Sequence, residues 1–497
     1  MAMSSLDKKS QLNALQNEDI AMDGEAYDEA IDNASEILLE AMLGDADELI
    51  KEGQQLDIKV KMVVFRVARR LLVRLYEVFR AMVIEEAKRQ GKTVERKKVV
   101  TFKTIFGPIE VSSPYLYDRD AGEGARPMRE YFGIRGEAYS AGADRALSDF
   151  ASESSFREAS ERFEEHYGWR PGETTTRKRT KAVAEAAESY VEQRLDEELE
   201  ALDKPPVERA LEADQMLVEA DGCHIRCGRW MSAEKARQEA ETPEQLARLA
   251  DYEDDEKVRL VEWKEVRTGL VRRMGQVEAT YVSKRGDWEE IARQLFRAAC
   301  GHGLTFETEV VAVGDGAYGL KDGLEEHFPN MQFILDWFHL KHHFFETGQK
   351  LAEGGHLVGD VAEWVEGHLD TIYEGEAGAV LGELESLKST LERPPDREAD
   401  PEQGEPQTAW GRLDRLIGYL TRFYNCLDYQ DYRDNGWPIG SGEVESAHKT
   451  VPQRRLKLPG ATWAEENISK MCALRVLQAN GWWDDFWDDE FDRRQAA

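Results

Sequence analysis

Three acidic residues, far apart in the sequence, have the surroundings that metal-dependent chemistry requires. Asp221 follows the apolar run MLVEA and precedes Gly222, and Asp315 follows VVAVG and precedes Gly316. Glu445 lies just inside a predicted helix that begins in PIGSGEVES. Because a strand end or a helix holds a carboxylate rigidly, these residues could together bind two divalent metal ions. Such a site catalyses phosphoryl transfer on nucleic acids or nucleotides.

Two of these assignments have a rival nearby. Asp336 also ends an apolar run, FILD, and follows Asp315 by 336 − 315 = 21 residues. We favour Asp315 as the second acid, because it follows the expected fourth strand and precedes a glycine turn, and Asp336 stays an alternative. Glu443 lies close before Glu445, with their side chains about 200° apart on a helix. Only one of these glutamates can therefore face a metal site.

The composition predicts a cytosolic protein with sizeable cores. The 497 residues are enough for two to four domains, and 41% of them are hydrophobic. No uncharged apolar stretch has membrane-spanning length, and the N-terminus has no apolar signal region. The five cysteines are scattered, which fits a reducing compartment. Cys223 and Cys227 lack a second ligand pair, so we do not expect zinc.

The net charge of −33 conflicts with a simple DNA-binding interpretation. A halophilic host would explain it, because high salt screens the repulsion between acidic side chains. The alternative is that the protein does not bind DNA. Two local basic clusters favour DNA binding, and their members are Arg177, Lys178, Arg179 and Lys181, and then Arg454, Arg455 and Lys457.

The N-terminal part of the chain reads as mainly helical. Residues 1–20 are predicted to be a disordered tail, and residues 21–150 a helical region with a β-hairpin near 98–116. Apolar residues repeat at helical spacing from Val63 to Met82. This stripe is expected to form either core or a dimerisation surface.

Residues 151–205 predict a helix–turn–helix. The first helix should end at Gly168, and Thr174 or Thr175 should cap the second. The second helix begins with the first basic cluster, where it could meet the phosphates of a DNA groove. An ordinary helical hairpin with a solvated basic end is the alternative.

The remaining chain predicts an α/β catalytic core in two parts. Residues 210–352 contain three strands, a helix and then strand–helix–strand, which is the order of an RNase H-like fold. In that fold the first and fourth strands are neighbours, so their acids would lie close together. Residues 353–435 read as a helical insertion with an acidic, proline-bearing connection at 391–408. Residues 436–490 would complete the core with the third-acid helix and C-terminal helices.

Four stretches, in this order, resemble the DDE transposases of bacterial and archaeal insertion sequences, most closely the ISKra group, with a wider likeness to Mutator-like transposases. The similarity covers roughly residues 150–490, and the ending RVLQANGWWDDFW fits it too. The four stretches are ADG at 220–222, GDGAYGL at 314–320, LDWFHLKHH at 335–343 and PIGSGEVESAHKTVPQRRLKLPGATW at 438–463.

This resemblance implies a site and a reaction. Asp221, Asp315 and Glu445 would bind two Mg²⁺ or Mn²⁺ ions, and Asp336 and His339 would form an accessory pair that is structural or faces DNA. The reaction would be cleavage at the element's ends, followed by transfer of the cut strand into target DNA.

The resemblance also implies partners and a place in the cell. They are double-stranded DNA carrying terminal inverted repeats, target DNA, further copies of the chain in a homodimer or larger assembly, and the nucleoid. It favours Glu445 over Glu443, with Ser441 as the expected cap of that helix, whereas Pro452 is unusual inside a helix. Two other functions stay open: a catalytically inactive, transposase-derived DNA-binding protein, and an RNase H-like nuclease that does not transpose.

Overall fold

The computed structural model describes residues 24–43, 53–136, 138–200, 213–357, 359–393 and 408–496. They fall into two compact units, which divide after Glu86. The predicted tail at 1–20 and most of the acidic connection at 391–408 lie outside the described residues. None of the described helices combines the length and apolarity needed to cross a membrane.

The first unit consists of two helices, of which the second continues past the unit's boundary. The apolar stripe predicted on this second helix is exposed: Leu71 and Met82 are each 56% accessible, and Val78 is 54% accessible. Within the described residues the stripe is therefore not buried, and a dimerisation surface stays a prediction for it. The helices are α1 (Gly24–Leu43) and α2 (Leu56–Arg89), and a 3₁₀ turn at Gly53–Gln55 precedes α2.

The second unit begins with a small antiparallel sheet. Its hairpin turns at Gly107, whose φ of 113° suits glycine. It occupies the region predicted near 98–116, with longer strands. The elements are β1 (Thr93–Thr104), β2 (Gly107–Asp118), β3 (Glu123–Ala125) and a short helix α3 (Pro127–Phe132).

Three helices follow in the region predicted as a helix–turn–helix. The middle helix starts with a capping box of Ser155 and Glu158 and ends at Gly168, whose φ is 71°. The third helix begins at Glu173, so the predicted cap at Thr174 or Thr175 is wrong, since both residues lie inside the helix. The helices are α4 (Ala141–Glu153), α5 (Phe156–Tyr167) and α6 (Glu173–Glu200).

A mixed five-stranded sheet forms the centre of the second unit, in the order β6-β5-β4-β7-β8. The first three strands of this sheet along the chain, β4, β5 and β6, pair antiparallel, whereas β4–β7 and β7–β8 pair in parallel. The first and fourth strands of this sheet, β4 and β7, are thus neighbours, as the expected order requires. The strands are β4 (Gln215–Ser232), β5 (Lys257–Arg273), β6 (Ala279–Lys284), β7 (Glu309–Gly314) and β8 (Gln332–Leu335).

The strands that carry the acids are buried on both faces. Met216, Leu217 and Val218 of β4 are fully buried, as is expected of strands with helices on both sides. Helix α6 contributes Ala187 and Leu195 to the same core, so it is a central packing helix along much of its length. The helices between the strands are α7 (Ala233–Glu239), α8 (Pro243–Leu249), α9 (Trp288–Gly301) and α10 (Leu320–His327).

The helical segment after β8 shares the core of the sheet. Leu369 and Leu416 belong to the same apolar cluster as the strands, and the Tyr429 hydroxyl donates to the Leu335 carbonyl at 2.8 Å. The helices are α11 (Trp337–Glu353), α12 (Val361–Tyr373), α13 (Ala377–Ser389), α14 (Ala409–Arg422) and α15 (Tyr429–Asp434).

The C-terminal part returns to the sheet. The predicted third-acid helix ends at His448, and Pro452 lies in a π-helical turn that follows. Proline has no N–H to donate, so it interrupts the α-helical bonding at this point. The elements are α16 (Gly442–His448), the π turn Lys449–Gln453, α17 (Arg454–Leu456), a 3₁₀ turn Glu465–Asn467, α18 (Ile468–Ala479) and α19 (Trp483–Ala496).

Candidate active site

Parallel pairing brings the first two acids to one edge of the sheet. The pairing of β4 with β7 ends with Glu219 opposite Val313. Asp221 and Asp315 each follow this last pair by two residues, so Asp221 within β4 and Asp315 directly after β7 come to equivalent positions. Asp221 lies within its strand, because β4 continues past it to Ser232 along β5.

Burial and mutual repulsion characterise this acid pair. Burial raises the pKa of Asp315, and the neighbouring charge of Asp221 raises it further. Burial also raises the pKa of Asp221, and the charges of Glu445 and Asp336 add to that shift. One backbone N–H and the charge of His339 oppose each shift: Gly222 donates to Asp221 at 2.6 Å, and Ala317 donates to Asp315 at 2.8 Å. Because these two carboxylates repel each other and accept few hydrogen bonds from the described residues, a bound cation would stabilise their charged forms.

Asp336 has a different environment from this pair. It is fully buried at the N-terminus of α11 and accepts hydrogen bonds from His339 N at 2.7 Å and His339 Nδ1 at 3.0 Å. Ser441 donates to its other oxygen, through its backbone N–H at 2.6 Å and its hydroxyl at 2.8 Å. Burial alone would raise the pKa of Asp336, but these bonds lower it to about 2.

His339 places a cation beside the acids. Its hydrogen bond to Asp336 raises the pKa of the imidazole to about 9, with further contributions from the charges of Asp315 and Asp221. The ring is therefore protonated at neutral pH. This imidazolium offsets part of the repulsion between the two half-buried carboxylates.

The two candidate third acids differ in their partners. Glu443 forms a bidentate ion pair with Arg272 of β5, in which Arg272 Nε lies 2.8 Å from Glu443 Oε2 and Nη2 lies 2.6 Å from Oε1. Glu445 is exposed on the first turn of α16, and its charge reaches Asp221. The ion pair occupies Glu443 and leaves Glu445 on the other side of the helix.

Sequence reasoning missed Glu219, which is 1% exposed. Ser441 lies at the N-cap position of α16, but its hydroxyl donates to Asp336 and does not cap the helix. Glu219 takes that role from β4 by accepting the N–H of Val444 at 2.8 Å. Burial raises the pKa of Glu219 to about 8. The available signal was its spacing, since Glu219 and Asp221 lie on the same face of one strand.

His448 was also missed, at the other end of α16. It is 4% exposed, with Nε2 3.1 Å from the Asp221 carbonyl oxygen and Nδ1 3.4 Å from the Asp221 carboxylate. Burial lowers the pKa of this imidazole. His448 follows Glu445 by three residues, the helical spacing that places two side chains on one face. Glu219 and His448 together dock both ends of the helix against β4.

The first basic cluster is divided by its contacts. Arg177 and Lys178 are exposed in the first turns of α6, and Lys181 is half-buried. Arg179 forms an ion pair with the fully buried Asp144, with Nε 2.7 Å from Oδ1. Its guanidinium therefore belongs to the packing of α6 on α4.

The second basic cluster is divided in the same way. Lys457 is exposed, and its charge reaches Cys223 and His448 beside the acids. Arg454 pairs with Glu153 at 2.9 Å.

Arg455 is the buried member of the second cluster. It is 3% exposed, donates to the Ala151 carbonyl at 2.6 Å and lies over the rings of Phe156 and Trp463. Its contacts are those of a residue that packs the interior.

The donor set suits Mg²⁺ or Mn²⁺ in its chemistry, since both ions prefer carboxylate oxygens. Within the described part of the chain, however, no three histidine, cysteine or acidic side chains are grouped closely enough to hold a metal ion. Asp221 and Asp315 are brought together, and Glu445 remains directed to solvent on a helix that is fixed beside them.

Comparisons with known proteins place the chain in a family without a described activity. Residues 47–489 match the model of an uncharacterised protein family, UPF0236. Among solved structures, the chain is similar to one in the "Drosophila P element transposase strand transfer complex", with 10% identity and a TM-score of 0.29 over 71% of this chain and 94% of that chain. A TM-score this low does not establish a shared fold. No curated protein matches the sequence.

Proposed function

The chain belongs to the UPF0236 family, and we propose that it is a DDE-type transposase, which cleaves and joins DNA strands with divalent metal ions. One observation carries the proposal. The parallel β4–β7 pair places Asp221 and Asp315 at equivalent positions, and the helix that bears Glu445 is docked on the same strand.

The strand order supports the finer assignment of an RNase H-like core. Three antiparallel strands, followed by two parallel strands on the side of β4, are the arrangement expected from the order of elements along the chain. The helical segment at 353–435 then separates the third acid from the sheet in sequence but packs in the same core.

In this proposal Asp221, Asp315 and Glu445 hold two Mg²⁺ or Mn²⁺ ions. Asp315 is preferred to Asp336 because four hydrogen bonds already occupy both carboxylate oxygens of Asp336. Glu445 is preferred to Glu443 because Arg272 neutralises Glu443. The proposal requires the exposed Glu445 side chain to turn toward Asp221, which a change of rotamer on a fixed helix can supply.

The ions, when bound, would activate water and then a DNA 3′-hydroxyl and would stabilise the leaving oxygen. The chain's own groups orient and balance the site. Asp336 fixes the segment that leads into α16, and His339 supplies a positive charge beside the acids. The exposed Arg177, Lys178 and Lys457 are the members of the two basic clusters proposed to meet DNA phosphates.

The test measures metal-dependent cleavage and strand transfer on duplexes taken from the DNA that flanks the gene. Asp221→Asn, Asp315→Asn and Glu445→Gln should each abolish both activities, and each should weaken Mn²⁺ binding measured by calorimetry without DNA. Glu443→Gln is the matched control on the same helix and should keep activity. If the three variants all retain strand transfer, the proposal is wrong. If Asp336→Asn abolishes Mn²⁺ binding and Asp315→Asn does not, the second ligand is misassigned.

A catalytically inactive DNA-binding protein is the second candidate. The exposed position of Glu445, with no convergent group of three ligands among the described residues, favours it. Such a protein would bind the same duplexes with equal affinity in Mg²⁺ and in a chelator, and it would cleave none of them.

A further inference from the structure

Beyond Gly222, β4 and β5 continue together as a ribbon that leaves the central sheet. One face of this ribbon is covered, because Val258 and Leu260 pack with α7 and α8 in a small apolar cluster. Alternate side chains along a strand point to opposite faces. The other face therefore has a separate set of residues, and its two tryptophans are exposed.

Two large aromatic side chains lie exposed on this open face. Trp230 is 68% accessible, and Trp263 is 62% accessible. In the register of the two strands, Trp230 lies opposite Arg259, and Trp263 lies opposite Arg226. Directly opposite residues of an antiparallel pair share a face, so two tryptophans and two arginines alternate on one surface.

The local packing positions Arg259 beside Trp230. The Arg259 side chain crosses Gly228, where a Cβ atom would lie 2.7 Å from Arg259 Nε, so only glycine at this position leaves room for the side chain. Arg259 Nη2 donates to the Thr462 carbonyl at 2.7 Å, and its guanidinium carbon lies 5.9 Å from the centre of a Trp230 ring.

The positive charge on this face comes from Arg226 and Arg259. Burial lowers the pKa of Arg259, and the nearby charge of Arg226 lowers it further. Among the described residues, neither guanidinium forms an ion pair with an acidic side chain. Glu265, the nearest acid on the same face in sequence, pairs with Arg267 at 2.7 Å. The two arginines give this face a local positive charge in a chain whose net charge is −33.

We propose that this open face, made by Arg226, Trp230, Arg259 and Trp263, binds the unpaired bases of a DNA strand. Exposed indole rings offer flat apolar surfaces on which bases stack, and the guanidiniums meet the phosphates between them. A duplex keeps its base faces stacked inside the helix, so the surface selects single-stranded or frayed DNA. The inference depends on the proposed function only in naming DNA as the nucleic acid.

The surface is distinct from the carboxylate site, although both lie on β4. At about 3.3 Å per residue, Arg226 lies about 17 Å and Trp230 about 30 Å along the strand from Asp221. Asp221 also points to the opposite face of the strand by the alternation of side chains. The bound segment is therefore not the bond that is cut, and its loss should leave metal binding unchanged.

The test measures the affinity of the full-length protein for a labelled oligothymidylate of about 20 nucleotides, long enough for several stacked bases. Trp263→Ala and Trp230→Ala should each weaken binding about 5- to 150-fold, the range for loss of one base–aromatic stack. Trp263→Phe should keep most of the affinity, because its ring still stacks. Phe306→Ala, at a fully exposed aromatic residue elsewhere, is the matched control and should change nothing.

The outcomes separate this inference from the proposed function. If the wild type binds the oligomer and both alanine variants bind it equally well, the surface is wrongly assigned. Binding of duplex but not of single strands also overturns it and leaves the proposed function standing, whereas binding of neither overturns both. If the alanine variants change only the mass measured by light scattering, the face joins protein copies and the inference is wrong. Equal thermal unfolding of all variants shows that the changes in affinity are local.

Discussion

Replacement of Asp336 by asparagine should destabilise the protein by about 3 to 6 kcal/mol. The side chain is fully buried and accepts hydrogen bonds from two donors of His339 and two of Ser441. These bonds lower its pKa from 3.8 to about 2, and each unit corresponds to about 1.4 kcal/mol, so the ionised form contributes about 2 to 3 kcal/mol.

Asparagine would lose more than this charge. Its amide has one acceptor oxygen, so its NH₂ group must face the donors of either His339 or Ser441. A buried donor left without an acceptor costs about 1 to 3 kcal/mol, which gives the total. The pKa shifts of Asp336 and His339 share the hydrogen bond between the two side chains, so only the shift of Asp336 enters this total.

The pH dependence follows from the signs of the two shifts. The pKa of Asp336 is lower in the folded state, so its contribution is present above pH 3.8 and is lost as the pH falls toward 2. The pKa of His339 is raised from 6.5 to about 9, so its contribution is present below pH 6.5 and is lost as the pH rises through 9. The difference in stability between wild type and variant should therefore be largest between about pH 4 and 6.5 and should narrow on both sides.

Urea unfolding of the full chain, followed by circular dichroism at several pH values, measures this difference. Asp287→Asn is the matched control, because Asp287 also begins a helix and accepts a backbone N–H at 2.9 Å, but outside such a network. Asparagine caps helices as well as aspartate, so this control should change stability by less than about 0.5 kcal/mol. A cost below about 1 kcal/mol for Asp336→Asn, or no narrowing of the difference above pH 9, would refute the reasoning.

Three further predictions concern other parts of the molecule. Glu219→Leu should cost about 1 to 3 kcal/mol by leaving the Val444 N–H without its acceptor, whereas Glu219→Gln should be nearly neutral, as urea unfolding of the pair would show. Leu71→Glu, in the exposed stripe of α2, should lower the mass measured by light scattering if that stripe joins copies of the chain, and an unchanged mass would exclude that role. Raising KCl from low to molar concentration should stabilise a chain of net charge −33, and full stability at low salt would argue against a halophilic origin.

The positions of the first two acids could be predicted because local pattern determines them. An apolar run followed by an acid and glycine predicts a buried strand with a polar end, and the order of strands predicts which strands are neighbours. The end of β4 at Ser232 could not be predicted in the same way, because pairing with β5 extends the strand there.

The fate of individual basic residues could not be predicted from their neighbours in sequence. Arg179 is neutralised by Asp144 across a helix pair, whereas Arg455 is buried against a carbonyl and two rings from other elements. A run of basic residues predicts a charged surface only for those members that tertiary packing leaves exposed. In the first cluster these are Arg177 and Lys178.

The same limit explains why Glu219 and His448 were missed. Both act through contacts between segments more than 200 residues apart, which no local pattern contains. Their consequence for the proposed site is specific. Glu219 binds the first turn of α16, and His448, the last residue of the helix, contacts Asp221 of β4. On the opposite side of the helix, Arg272 of β5 pairs with Glu443.

With α16 held at three points, its backbone has little freedom to approach or leave the acid pair. In the proposed metal site, Glu445 would then turn toward Asp221 through its side-chain torsions while the helix stays in place. The docking contacts are then as important to the proposed site as the ligands themselves. Loss of the His448 ring should free the end of the helix, so His448→Ala should weaken Mn²⁺ binding although His448 is not a proposed ligand. Unchanged Mn²⁺ affinity in that variant would show that Glu445 is positioned without the contact to Asp221.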